Sequence, residues 1–182
     1  MKRITCWISM LFITFMVFNA SLKAQTKAEP NDSITVYIFL HEACIISQYY
    51  TLPLRELHKE YADEQIQFIG LFPNFSSKPN KIEAFKTSYK LPFDLKTDYY
   101  HTKKDALGAM VTPEVVVYNE SQAQILYKGR IDDAYARVGQ RKRFTSTSEL
   151  KDVLEAISNN QPILVSNTEA VGCFIGKNKL LN

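Results

Sequence analysis

Cys6, Cys44 and Cys173 are the residues of this 182-residue chain whose chemistry asks first for an explanation. A thiol is a nucleophile or a soft metal ligand only as thiolate, and an ordinary cysteine is mostly protonated near neutral pH. Setting therefore decides reactivity. Cys44 follows a β-branched and aromatic run, Ile34 to Leu40, and precedes a stretch with helical apolar spacing, Ile45 to Tyr61. That junction is a helix N-terminus, where unpaired backbone N–H groups and the positive dipole end both favour thiolate. His41 lies just upstream and would tune the thiol or, with Cys44 and Cys173, offer soft ligands that suit monovalent copper. The plainer reading makes it a partly exposed loop residue. His58 and His101 have no partner suggested by spacing and read as surface residues. No phosphate-binding glycine loop, carboxylate pair at a recognisable spacing or serine-hydrolase elbow occurs.

The elements that would position these thiols follow from periodicity. Ile34 to Leu40 has no polar face and suits a central strand. Ile45 to Tyr61 reads as a helix with Ile46, Tyr49, Tyr50, Leu54, Leu57 and Tyr61 at its apolar positions, and Pro53 predicts a kink. Ile66 to Phe72 is a second buried strand. Lys81 to Tyr89 is a short helix introduced by Ser76, Ser77, Pro79 and Asn80; Leu91 to Leu95 is extended, and a helix runs from about Thr102 to Met110. Glu114 to Tyr118 and Gln124 to Lys128, joined by a polar turn at Asn119 to Gln122, form a hairpin. Ser146 to Ser158 closes the set as a helix, with Ser146 and Glu149 spaced as a capping box. This order implies one α/β domain over 34–158, a mixed sheet with helices on both faces. The tail, 159–182, has no helical period. Its apolar Pro162 to Val165 stretch is expected to pack back on the domain, and Gly172 frees the backbone before Cys173.

The first residues pair Lys2 and Arg3 with an uncharged apolar run, Ile4 to Val17, then small residues through Ala20 and Ala24. That is the pattern of a secretory signal peptide over 1–24, with an uncleaved anchor as the alternative. A polar linker, 25–33, follows. The segment contains Lys2, Arg3 and Lys23 and no acid, so its removal cancels the net charge of +3. Nothing in the balance asks for nucleic acid. Cys6 leaves with the segment, and export to a periplasmic or extracellular compartment lets the two remaining thiols, Cys44 and Cys173, pair and stay paired.

Two motifs on these elements carry a family resemblance. Cys44-Ile45-Ile46-Ser47 falls at the strand-to-helix junction, and Thr112-Pro113 immediately precedes the hairpin strand. The chain thereby resembles the thioredoxin-like superfamily, in its exported TlpA-like or redoxin-type branch, over residues 34 to 158. There the first position is the active-site cysteine and the proline is a cis-proline facing it. The additional helix and extended piece between Gly70 and Pro113 resemble that branch's insertion. The resemblance implies a thioredoxin-like fold, thiol-disulfide chemistry on protein thiols or disulfides, no cofactor, and Cys44, Thr112 and Pro113 as site residues.

Ser47 stands where the family's second cysteine would be, and it cannot form the disulfide. Three readings follow. Cys173 is the partner thiol, brought back by the tail; or Cys44 acts as a monothiol resolved from outside; or the domain is a degenerate binding or structural module and Cys44–Cys173 is a staple worth about 2–4 kcal/mol. A peroxidase version is disfavoured because His41 occupies the position where peroxiredoxins carry a Thr or Ser. Arg137, Arg141, Lys142 and Arg143 form a basic loop that reads as solvated, with Asp132 and Asp133 near enough in sequence to neutralise part of it. Paired tyrosines, Tyr49-Tyr50 and Tyr99-Tyr100, read mainly as core or half-buried surface, those near Cys44 as candidates to line a groove.

Overall fold

Branched and aromatic side chains pack well on a pleated surface, and the run from Ile34 forms the centre of the fold. The computed structural model describes residues 28, 32–63 and 65–177. The leader-like segment with Cys6, and most of the 25–33 linker, lie outside the described residues. Strand β1 (Ile34–Phe39) is buried along its whole length, parallel to β2 (Ile66–Phe72) and antiparallel to β5 (Glu114–Asn119). With β3 (Asp94–Thr97) beyond β2 and β6 (Gln124–Gly129) beyond β5, the sheet order is β3-β2-β1-β5-β6.

Alternation along β1 divides the core. Ile34, Val36 and Ile38 face the larger cluster with Leu54 of α1 (Ile45–Tyr61), Ile82 and Phe85 of α2 (Pro79–Tyr89), and Leu150 and Leu154 of α4 (Glu149–Ser158). Tyr37 and Phe39 face a smaller cluster with Val116 and with Leu107 of α3 (Thr102–Leu107). Helices thus cover both faces of a mixed sheet, as the element order implies.

Boundaries differ where a distant partner sets them. Pro79 opens α2 at the first helical position, where its missing N–H costs nothing. The extended piece after α2 pairs over Asp94–Thr97 rather than Leu91 to Leu95, because Leu91 and Phe93 turn into the core. Helix α3 ends at Leu107, with Gly108 left-handed (φ 67°) as its cap. The Ser146/Glu149 capping box does not form: α4 starts at Glu149, whose carboxylate takes Arg130 and the Thr147 hydroxyl, while Asp133 accepts the Ser146 and Thr147 N–H groups.

Four short strands complete the set among the described residues. β4 (Val111–Thr112) pairs antiparallel with β9 (Cys173–Phe174), and β7 (Tyr135–Arg137) pairs with β8 (Gln140–Arg141). Within the tail only Ile163 of the Pro162 to Val165 stretch is buried; Leu164 and Val165 are exposed. What holds the tail is backbone. Lys128 donates its N–H to the Ser166 carbonyl and accepts from the Thr168 N–H, at 3.0 and 2.9 Å, which adds the tail to the outer edge of β6. Tyr127 reinforces this from beneath, with its hydroxyl 2.6 Å from Thr168 Oγ1.

Candidate functional site

The register of the central strands explains how the site assembles. Phe39, the last residue of β1, lies opposite Glu114, the first of β5. The chain leaving β1 toward Cys44 and the chain entering β5 through Thr112 and Pro113 therefore emerge at the same sheet end. Cys44 occupies the N-cap of α1, its N–H bonded to the His41 carbonyl and its carbonyl accepting from Gln48. The Thr112–Pro113 peptide is cis. The Thr112 carbonyl accepts a hydrogen bond from the Cys44 thiol at 3.3 Å.

β9 brings the second sulfur. Thr112 is the register partner of Cys173 and donates its hydroxyl to the Cys173 carbonyl at 3.4 Å. The Sγ atoms of Cys44 and Cys173 lie 3.0 Å apart, and both are free thiols. Two glycines permit the approach. A Cβ on Gly172 would sit 2.3 Å from the Thr112 oxygen, and one on Gly129 would sit 2.1 Å from Thr168 Oγ1. All four residues singled out in sequence, Cys44, Cys173, Thr112 and Pro113, are thus within one cluster.

The two sulfurs are electrostatically unlike. Cys44 is 2% exposed, and burial pushes its thiol up; hydrogen bonds from Cys173, from the Ser47 and Ile46 N–H groups and from the Ser47 hydroxyl outweigh burial and bring it below an ordinary cysteine. These are the unpaired donors of the first helical turn, used here on sulfur. Cys173 is pushed up to about 11, first by burial and then by its hydrogen bond to Cys44 and the neighbouring negative charge. Of the two sulfurs, Cys44 is thus the one held toward thiolate and Cys173 the one held toward thiol.

Glu114 is a site-supporting residue that sequence reading passed over. Only 4% exposed, it accepts the N–H groups of Met110 and Val111 at 2.7 and 3.2 Å and lies 3.7 Å from Lys128 Nζ, so it fixes the turn that presents Thr112. The available signal was an acid opening an otherwise apolar buried strand. His41 turns away from the sulfurs: its Nε2 is 3.3 Å from Ser76 Oγ and 3.8 Å from Glu42. Among the described residues no group of three or more His, Cys, Asp or Glu is placed to hold a metal ion. Ser47 is buried and accepts the His41 N–H at 3.3 Å.

Of the other two histidines, one is buried and one half-buried. His101 is buried, with Nε2 3.1 Å from the Pro73 carbonyl, and His58 packs against Phe68 and Phe93. The basic loop is also partnered: Lys142 reaches Asp133 at 2.6 Å, Arg141 lies over the Tyr49 ring and Arg143 over Phe144. Tyr49, Tyr50 and Tyr135 form one aromatic cluster beside the site, with the Tyr50 hydroxyl on Asp132. Next to β9 a cleft of about 520 Å³ opens between Val111, Tyr135, Arg137, Val171 and Phe174.

No family model matches the chain, and no curated protein does. Solved structures do. An uncharacterized conserved protein from Geobacillus kaustophilus superposes with a TM-score of 0.70 at 19% identity, covering 87% of this chain and 82% of its own. A hypothetical protein from Sinorhizobium meliloti 1021 gives 0.67 at 20% identity, covering 78% of each. A secreted Mycobacterium tuberculosis disulfide oxidoreductase, homologous to E. coli DsbE, gives 0.50 at 14% identity, covering 68% of this chain and 81% of its own. The fold is thioredoxin-like, and its neighbours in fold include that secreted disulfide oxidoreductase.

Proposed function

We propose that this chain is an exported thiol-disulfide redox protein whose working pair is Cys44 and Cys173, with Thr112 and Pro113 shaping the site and protein thiols or disulfides as its partners. The observation that carries this reading is the 3.0 Å separation of two thiols of opposite tendency, one held toward thiolate and the other toward thiol. Thiolate attack is the elementary step of disulfide exchange, and a neighbouring thiol resolves the mixed disulfide. Ser47 leaves no second sulfur within the helix, and β9 supplies one from the other end of the chain. The basic, apolar and small-residue pattern of residues 1–24 supports export, as does the secreted disulfide oxidoreductase among the neighbours in fold.

The competing reading makes the same bond a staple worth about 2–4 kcal/mol through its restriction of the unfolded chain, and the two readings differ in how readily that bond is reduced. The deciding experiment is a graded glutathione titration, with the disulfide mapped by alkylation and mass spectrometry. A Cys44–Cys173 bond that equilibrates within about −120 to −270 mV, the range of known exchange proteins, supports the couple. One that resists reduction makes the pair a staple. Disulfide-reduction turnover on insulin is expected to vanish in Cys44→Ser.

A further inference from the structure

We propose that Cys173 is the sulfur that exchanges with the partner, and that Cys44 is the inner sulfur, which leaves and returns without being touched by the partner. This rests on the pair reading above and assigns the two roles within it. Access gives the first argument. Cys44 is 2% exposed and lies beneath β9, enclosed by Thr112, Cys173 and the first turn of α1. Cys173 is only half-buried, on a two-residue strand with Phe174, which is 82% exposed.

Opening of the disulfide does not uncover Cys44. β9 is held independently of sulfur by the Thr112 hydroxyl, by the Ile175 N–H on the Met110 carbonyl at 3.0 Å, and by the Gly176 N–H on Asn74 Oδ1 at 3.1 Å. A partner thiolate approaching from solvent therefore meets the Cys173 sulfur first.

Leaving-group chemistry gives the second argument, and it points the same way. Exchange runs fastest when the attacked disulfide expels its more stable thiolate. Attack on Cys173 expels Cys44, which departs into the Ile46 and Ser47 N–H groups at the helix N-terminus. Attack on Cys44 would expel Cys173, which has no such donors and whose thiolate is disfavoured by burial.

The steps balance as follows. A partner thiol loses its proton to solvent and its sulfur attacks Cys173 Sγ. A partner–Cys173 disulfide forms, the Cys44–Cys173 bond breaks, and its electron pair goes to Cys44. A second partner thiolate then attacks the partner sulfur, expelling Cys173, which takes up a proton. Two partner thiols are oxidised to a disulfide and the protein's disulfide is reduced. The opposite direction passes through the same mixed disulfide.

The test uses the full oxidised chain and reduced glutathione as the probe, with acid quenching at early times and the adduct mapped by peptide mass spectrometry. The expected result is glutathione on Cys173 in at least about tenfold excess over Cys44. Glutathione on Cys44, or equally on both, overturns the assignment while leaving the redox pair standing. Failure of the chain to form any Cys44–Cys173 disulfide in oxidised glutathione overturns the pair and the assignment together. In Cys44→Ser the adduct on Cys173 is expected to persist, since no inner thiol remains to displace it. A natively folded Cys44→Ser chain whose Cys173 does not react with oxidised glutathione also overturns the assignment.

Discussion

Gly172→Ala is the sharpest test of whether backbone fit at β9 sets the redox pair. The added methyl would lie 2.3 Å from the Thr112 oxygen, 2.6 Å from its carbonyl carbon and 3.1 Å from Pro113 N, all of them backbone atoms that no rotamer change relieves. Ordinary contact needs roughly another 1 Å, so β9 must lift off β4 by about that much, or the β4 turn must give way. Cys173 is the next residue, and its sulfur moves with the strand from its 3.0 Å contact. A misplacement of about 1 Å commonly costs an oriented reaction about 10²-fold. Closure of the Cys44–Cys173 bond should slow by about that factor, and the potential should move to a less negative value because the disulfide is the state that loses. Cys44 should also lose the hydrogen bond from Cys173 and titrate higher, readable as thiolate absorbance against pH in the reduced protein. A folded Gly172→Ala chain with the parent's potential and the parent's Cys44 titration would refute the claim that β9 is fitted to β4 at atomic tolerance.

Two further substitutions examine the supports of the site. Glu114→Ala removes the acceptor of the Met110 and Val111 N–H groups, and loss of such charge-assisted bonds at a buried position is expected to cost about 2–4 kcal/mol in denaturant unfolding. The same variant should weaken Cys44–Cys173 disulfide formation, since Thr112 loses its support; an unchanged glutathione equilibrium would separate Glu114 from the site. His58, half-buried against Phe68 and Phe93, is held below its ordinary value of 6.5 by burial. The unfolded chain therefore binds that proton first. The His58 contribution to stability is full above about pH 7 and is lost as pH falls through the folded value. His58→Phe should flatten this part of a melting-temperature profile between about pH 7 and 5, and a profile identical to the parent's would mean that the ring titrates freely.

Periodicity in the chain carried most of the fold because the central strands are buried on both faces and the long helices show a single apolar stripe. Ile34 to Phe39, Ile66 to Phe72 and Ile45 to Tyr61 are local statements, and nothing distant overrides them. Reading failed where a local signal had a stronger remote competitor. Ser146 and Glu149 have capping-box spacing, yet Arg130 and Asp133 reach both from the end of the hairpin and satisfy the same groups. His58 and His101 look unpartnered because their partners, two phenylalanine rings and one carbonyl, carry no spacing signature.

The site divides along the same line. Cys44 was legible because a helix start is a local event whose N–H groups favour thiolate, although the hydrogen bond from Cys173 adds a larger part that no local pattern shows. Cys173 stood out only as the second cysteine of a tail without period. Its placement depends on hydrogen bonds between Lys128 and residues 166 and 168, and from residues 175 and 176 to Met110 and Asn74, none of which leaves a pattern in composition. Gly172 and Gly129 are the trace that such a placement does leave. Each stands where the tail crosses another backbone too closely for a Cβ. A tail that needed only to cover the surface would tolerate side chains at both. The two close crossings on either side of residues 169–171 are what a segment requires when one particular atom, the sulfur of Cys173, has to arrive at one particular place.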